Sequence, residues 1–444
     1  MVTARQTAAW IARRLRDAGH QALFAGGCVR DRLLGQEPKD YDVATSARPD
    51  QVIELFPGAN VVGAHFGVVL VKHQGHTVEV ATFRQDGPYL DGRHPVAVTF
   101  ADPEADARRR DFTINGLFED PDTGGILDFV GGRADLHAGV LRAIGDPSAR
   151  FAEDALRLLR AARFATTLGF AIEPATWQAI ARHAARLDLV APERIRDEFS
   201  RLIGAPRRAA GLDLLLHSGL LARFLPEVVA MVGCEQPPEW HPEGDAYVHT
   251  RIMLGLLEGT PSLALCLAAL LHDIGKPPTK AWDAAAGRLR FNNHDRVGAA
   301  MAEAALRRLR YPNVLVATVV EMISRHMRFM HVKEMRTARL KRFMARPTFA
   351  EELELHRADC LSSNGFTDNY EFLLARRAEF QAEPLVPPPL LTGHDLIAAG
   401  LRPGPRFKQI LDAAQTEQLE GRLADRAAAL AWLASHLTGS RPGP

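Results

Sequence analysis

Two aspartates, Asp40 and Asp42, stand two residues apart in Lys39-Asp40-Tyr41-Asp42-Val43, thirteen residues after the pair Gly26-Gly27. In an extended segment residues i and i+2 project from one face. The spacing therefore asks for a β-strand that holds both carboxylates side by side. Held so, they bridge two divalent cations about 4 Å apart, which activate an attacking hydroxyl and stabilise a leaving phosphate. The glycines supply backbone that a triphosphate approaches closely, with N–H groups free for its oxygens. The chemistry expected of such a chain is nucleotidyl transfer from an NTP to a hydroxyl.

The bulk properties bound the rest. A chain of 444 residues exceeds one ordinary core, so two to four domains are expected. The net charge of +1 hides a local bias: from Leu141 to Ala210 there are twelve Arg, no Lys and eight acids. Forked guanidinium donors suit phosphates and base edges. Cys28, Cys234, Cys266 and Cys360 are far apart and form no C-x-x-C pair, which predicts reduced thiols. No apolar run approaches the ~20 residues of a membrane span. Thr7–Ala18 is amphipathic and Arg-rich like a transit peptide. Because Leu23-Phe24-Ala25-Gly26-Gly27 follows at once, no removable leader is expected and the cytoplasm is the expected compartment.

The pattern along the chain predicts an α+β fold. Val61-Val62, Gly67–Val71, Thr77–Ala81 and Ile126–Val130 read as strands in a mixed sheet with helices over residues 1–140. From about Asp146, Ala, Leu and Arg recur at helical spacing. Pro237-Pro238, Pro242 and Gly244 break that pattern, and a second helical block runs from about Val248 to Gly365. Pro384 and Pro387-Pro388-Pro389 mark a further junction. The expected division is a head (1–140), an all-α neck (141–236), a helical metal-binding domain (237–383) and a helical tail (384–444).

Phe24-Ala25-Gly26-Gly27-Cys28-Val29-Arg30-Asp31 reads as strand, glycine turn and helix start, with Arg30 placed for a triphosphate. Joined to Asp40-x-Asp42, it resembles the first motif of the class II tRNA nucleotidyltransferase and poly(A) polymerase family. Four further segments resemble the family's motifs in order: Arg109–Asn115, Asp128–Gly132 with Asp135-Leu136, Glu153–Arg160, and Glu193–Phe199. The resemblance covers about residues 20–225. It implies nucleotide contacts from Gly26, Gly27, Arg30, Arg110, Asp111, Asn115, Asp154, Arg157 and Arg160, and two Mg²⁺ ions on Asp40 and Asp42. It also implies CTP and ATP as substrates, and a tRNA acceptor stem with its 3′ end as partner. A neck that reads A-form RNA is expected to do so by shape and phosphate.

Within the fourth motif, a continuous helix would put Asp154 and Arg157 on one face as i and i+3. The carboxylate accepts from an exocyclic amine and the guanidinium donates to the ring, an order that fits cytosine and adenine but neither uracil nor guanine. An ordinary surface ion pair is the bland alternative. Two metal ions call for a third carboxylate, and Glu79, between Val78 and Val80, is the candidate. Arg84–Pro95 resembles the family's flexible loop, lacking in enzymes restricted to adding CC, so its presence favours addition of the terminal A.

Leu270-Leu271-His272-Asp273-Ile274-Gly275-Lys276 ends an apolar helical run. With His249 and Asp359 it resembles the H…HD…D ligand set of the HD phosphohydrolase superfamily. His294 and His326 are candidates for a second metal or for phosphate. Imidazole with carboxylate suits a transition metal. In related bacterial enzymes such domains trim 2′,3′-cyclic phosphates or act as phosphatases, while others are degenerate. The expected function is CCA addition to tRNA. The rivals are poly(A) synthesis, addition of A alone, and an HD phosphohydrolase whose inert head binds RNA. The oligomeric state is not readable.

Overall fold

The computed structural model describes residues 2–61, 67–87, 97–380 and 384–438. They form two compact units: residues 1–229 with 308–311, and residues 230–307 with 312–444. Among them no helix is long and apolar enough to cross a membrane.

The first unit opens on a mixed sheet. Its strands are β1 (Ala22–Ala25), β2 (Asp42–Thr45), β3 (Asn60–Val61), β4 (Val68–His73) and β5 (His76–Thr82). A separate antiparallel ribbon joins β6 (Arg84–Asp86) to β7 (Val98–Phe100), and β8 (Leu117–Glu119) and β9 (Ile126–Asp128) complete the sheet. The sheet order is β3-β4-β5-β2-β1-β8-β9. β1 is central and buried at every residue, as its unbroken apolar run requires. The helix Ala4–Asp17 starts with a capping box, Thr3 with Gln6, and lays Ala8, Ile11, Ala12 and Leu15 across β1, β2 and β5.

β2 starts at Asp42, two residues later than a strand holding both Asp40 and Asp42 needs. Asp40 lies before the strand and is exposed. The reading that both carboxylates share one strand face is therefore corrected: Asp42 alone is in the strand, and its register partner is Glu79 on the parallel strand β5.

The turn after β9 shows why its sequence is Asp128-Phe129-Val130-Gly131-Gly132. The Asp128 carboxylate accepts from the backbone N–H groups of Val130, Gly132 and Arg133 at 3.1, 3.0 and 2.9 Å. Gly131 sits at φ +77°, where a side chain is strained, and begins the helix Gly132–Ala138. Gly132 packs so closely that a Cβ there would lie 2.2 Å from the Thr113 carbonyl oxygen. Beyond it, the helices Pro147–Glu153, Leu156–Leu168, Pro174–His183, Pro192–Ile203 and Arg208–His217 build the rest of the unit. Leu156–Leu168 packs on Pro192–Ile203 and Arg208–His217.

In the second unit the helix Leu263–Leu271 is buried from Ala264 onward, among the helices Ala246–Leu256, Asn313–Arg325 and Phe349–Ser362. Separate apolar clusters form around Phe329, Phe343 and Phe349, and around Leu391, Leu396 and Ile410. The expected unbroken helical block is interrupted by an antiparallel hairpin, Lys280–Asp283 with Arg288–Phe291. Gly287 at φ +62° turns it.

Gly132→Ala is expected to lower stability by about 1–3 kcal/mol, the usual cost of forcing a methyl into a full core. Urea unfolding of the two proteins side by side checks this.

Candidate active sites

The first site is a cavity of about 650 Å³ lined by Gly26, Gly27, Arg30, Asp42, Glu79, Arg110, Asp111, Asn115, Asp154, Arg157 and Arg160, among others. Asp40 is not in its lining, so the structure gathers every expected head residue but that one. At one end β2 and β5 present Asp42 and Glu79, which line the cavity as register partners. Burial pushes the Asp42 carboxyl up to about 6, the Glu79 and Asp40 charges add to this, and Arg110 opposes it. Carboxylates crowded in this way suit divalent cations, whose charge relieves their repulsion. Gly26 at φ +70° leaves room for Arg110, whose Nη1 would lie 2.7 Å from a Cβ there.

Behind the carboxylates runs a polar network. Arg30 donates to the Asn115 Oδ1 at 2.7 Å, and the Asn115 Nδ2 donates to the Asp111 Oδ1 at 3.0 Å. Arg160 donates to the Asp111 Oδ2 at 2.8 Å, while Arg163 pairs with Glu198. Burial would raise the Asp111 carboxyl, but Arg160 and the Asn115 amide outweigh it and hold it at about 2. Both of its oxygens are occupied, so Asp111 orients Asn115 and Arg160. Arg110 is likewise locked, its Nε and Nη2 both donating to Asp106 Oδ2 at 3.2 and 2.9 Å.

Asp154 and Arg157 do not share one helix. Pro147–Glu153 ends at Asp154, whose φ of −138° and ψ of 108° are extended, and the next helix starts at Leu156. The physical reason is the aspartate itself: its carboxylate caps the Leu156 N–H at 3.0 Å, which competes with helix continuation. The i,i+3 face is thus corrected, though both side chains line the cavity. Asp154 pairs with Arg194 at 3.0 Å, and Arg157 with Glu153 at 2.6 Å. The lining counts nine arginines (30, 84, 109, 110, 157, 160, 163, 194 and 201) against four carboxylates, an excess that suits a polyphosphate.

The second site lies in the other unit. His249, His272, Asp273, His294, His326 and Asp359 converge there, the carboxylates on imidazoles in each case. His249 Nε2 is 3.0 Å from Asp359 Oδ1, and His272 Nε2 is 3.1 Å from Asp273 Oδ2. His294 Nε2 is 3.6 Å from Asp273 Oδ1. Nδ1 of His272, His294 and His326 faces the carbonyl three residues earlier, of Ala269, Phe291 and Ile323, at 3.0, 2.8 and 2.7 Å. Nδ1 of His249 faces Glu243 at 2.7 Å. Nδ1 of His272, His294 and His326 therefore holds a proton, and in the neutral ring each Nε2 points inward with a lone pair. Burial would lower His249, but Asp359 and Glu243 on either side outweigh it and push it up to about 9, and a metal would take the place of its Nε2 proton. His294 Nε2 and His326 Nε2 then stand 3.2 Å apart as two acceptors, an arrangement that requires a shared cation or proton. The Nε2 atoms of His249 and His272 and the Asp273 Oδ1 are buried without a well-formed hydrogen bond, whereas Asp273 Oδ2 faces the Lys276 ammonium. Burial, with His272 and His294 adding, pushes His326 down to about 4, so it is neutral as a ligand must be. These residues fit a transition metal. Lys276 Nζ lies 2.7 Å from Asp273 Oδ2.

With both geometries in place, comparison with known proteins assigns the family. Three family models match: the poly A polymerase head domain over residues 22–142, the probable RNA and SrmB-binding site of polymerase A over 169–231, and the HD domain over 247–364. The CC-adding tRNA nucleotidyltransferase of Thermus thermophilus is 34% identical over 424 residues, 93% of each chain. This chain belongs to the class II tRNA nucleotidyltransferase and poly(A) polymerase family. The CCA-adding enzyme of Geobacillus stearothermophilus is 45% identical over 222 residues, 50% of this chain and 54% of that protein. The chain thus spans about half the length of the CCA-adding relatives it matches. Among solved structures, the Bacillus stearothermophilus CCA-adding enzyme in complex with CTP has a TM-score of 0.74 and 28% identity, covering 99% of both chains.

Within this nucleotidyltransferase fold, sequence reasoning missed several lining groups. Phe164 carries the guanidiniums of Arg30, Arg160 and Arg163 at 5.1, 5.3 and 3.9 Å from its ring centre. Arg194 stood inside a quoted motif, but its partner Asp154 is forty residues away in the chain. Residues 88–95 of the Arg84–Pro95 loop lie outside the described residues.

Asp111→Asn leaves Arg160 without its partner. With Asp111 depressed from 3.8 to about 2, wild type is expected to exceed the variant by about 2–3 kcal/mol at pH 7. A depressed carboxyl stabilises the fold above its unfolded value, so this margin shrinks as the pH falls below 4 toward 2. Denaturant unfolding at pH 7, 4 and 3 reads it directly.

Proposed function

We propose that this chain adds CCA to the 3′ end of tRNA, using CTP and ATP without a nucleic-acid template. The observation that carries the reading is the shared cavity, acidic at Asp42 and Glu79 and lined by nine arginines elsewhere. Asp42 and Glu79, with Asp40 at the strand entrance, would hold two Mg²⁺ ions. When bound, such ions supply charge neutralisation for the departing pyrophosphate and acidify the attacking hydroxyl. Arg30, Arg110 and Arg160 bind the triphosphate, each already oriented by a carboxylate or amide. Asp154 and Arg157 read the base edge, with Arg194 steering the Asp154 carboxylate. The names of the relatives matched over about half their length and of the solved structure with CTP support this. Free thiols at all four cysteines support a reducing compartment, the cytoplasm. We assign head, neck, HD domain and tail to residues 1–140, 141–236, 237–383 and 384–444.

A second reading, addition of CC alone, is favoured by one observation: the Thermus relative that matches over 93% of both chains is CC-adding. Transcripts of tRNA lacking the last three nucleotides, and others ending in CC, sort the readings when given CTP, ATP or both. Three nucleotides followed by a stop is the expected product. A stop after CC, A added only to the CC-ended transcript, or a long A tail each overturns it in favour of a named alternative. Asp42→Ala is expected to reduce incorporation to background. Asp154→Ala is expected to cut discrimination against UTP and GTP by about 10- to 100-fold, the worth of one charged hydrogen bond.

For the HD site we propose a bound transition metal held by His249, His272, Asp273 and Asp359, with His294 and His326 facing a second position. Metal analysis of the purified protein is expected to find it, and His272→Ala to lose it. Equal metal content in the two proteins overturns the assignment. Hydrolysis of a 2′,3′-cyclic phosphate by wild type but not by His272→Ala would extend the site from binding to catalysis.

A further inference from the structure

A third cavity, of about 200 Å³, lies in the second unit and contains none of the HD-site ligands. It is lined by Arg325, Arg328, Arg339, Arg342 and Arg346, over Met335 and Phe343. The segment that carries these arginines, 325–346, holds eight basic residues and one acid, in a chain whose net charge is +1. Such a concentration of like charge is unfavourable by itself unless carboxylates or a bound anion balance it.

The structure balances only part of it. Glu321 pairs with Arg325 and Glu352 with Arg346, fixing two guanidiniums at the cavity wall. Arg346 also lies over the Phe343 ring, 4.1 Å from its centre, and its Nε is buried with no hydrogen-bond partner. Arg342 donates to the Thr416 hydroxyl at 3.1 and 3.0 Å, a neutral partner. Arg328, Arg339 and Arg342 are exposed. Five guanidiniums against two carboxylates leave about three positive charges facing one small opening. A single inorganic phosphate would leave the surplus unmatched, whereas consecutive backbone phosphates match it, each taking forked donors.

We propose that this cavity binds phosphate groups of an RNA backbone, a docking site for the RNA separate from both candidate centres. The proposal rests on RNA as this chain's partner. Arg325 and Arg346, held by carboxylates, form the fixed wall, and Arg328 and Arg339 close on the strand from the exposed side.

The test uses the double variant Arg328→Gln/Arg339→Gln in the full-length protein, since both residues are exposed and their loss leaves the core intact. Binding of a full tRNA transcript, titrated across salt concentrations, is expected to weaken about 10-fold, with the log K against log salt slope reduced by about 2. Arg328→Lys/Arg339→Lys is expected to restore most of the slope. KM for CTP on a short acceptor-stem hairpin is expected to be unchanged. In parallel, inorganic phosphate and pyrophosphate are tested for thermal stabilisation of wild type and variant. Unchanged tRNA affinity and slope overturn the RNA site. If the variant then loses stabilisation by pyrophosphate, the cavity takes a free anion instead. A protein that binds tRNA through these arginines yet incorporates no nucleotide would sink the proposed activity and leave this site standing.

Discussion

The ion pair between Asp111 and Arg160 is the contact on which the first unit's chemistry depends. Asp111 follows the helix Pro103–Arg108, and Arg160 is on the helix Leu156–Leu168. One carboxylate thus ties the segment after the first helix to the second, which borders the cavity. Through Asn115 it also reaches Arg30 beside the glycine turn. Three of the groups expected to meet a triphosphate are oriented from this single buried anion. Preorganised donors of this kind lose little freedom when a ligand binds.

Both candidate centres show the same incompleteness in different chemistry. In the head, burial and neighbouring carboxylates push Asp42 up to about 6. In the HD site, two imidazole lone pairs face each other across 3.2 Å. Each arrangement concentrates electron-rich atoms that the protein alone does not satisfy. Hard carboxylate oxygens in the first case and imidazoles in the second separate the cations that suit them.

Much of this was legible in the chain. Glu79 could be picked out because a strand alternates, and Val78 and Val80 on either side had to point inward. His272-Asp273 could be picked out because an apolar helix ended there. Asp40 misled, since two-residue spacing shows a shared face only if the strand extends that far. Asp154 misled for a similar reason: helical periodicity continued through it, but its carboxylate prefers a backbone N–H to the helix. The hairpin Lys280–Phe291 was hidden by helices on both sides. The arginine cavity was hidden because its charges only meet once the segment 325–346 is folded.

The pairing of β2 with β5 makes the acidic end of the cavity an all-or-none object. Side chains alternate across a strand, so a slip of one residue would not shift Glu79 slightly but turn it to the opposite face. Length changes are therefore tolerable only where they leave that register alone. The tight bend at Gln74 and Gly75, with φ of +46° and +83°, fixes how β5 leaves β4. That two-residue turn sets the register of β4 against β5, so an insertion there would carry β4's alternation to the wrong face beside the strand that bears Glu79, without touching a single residue of the cavity's acidic end.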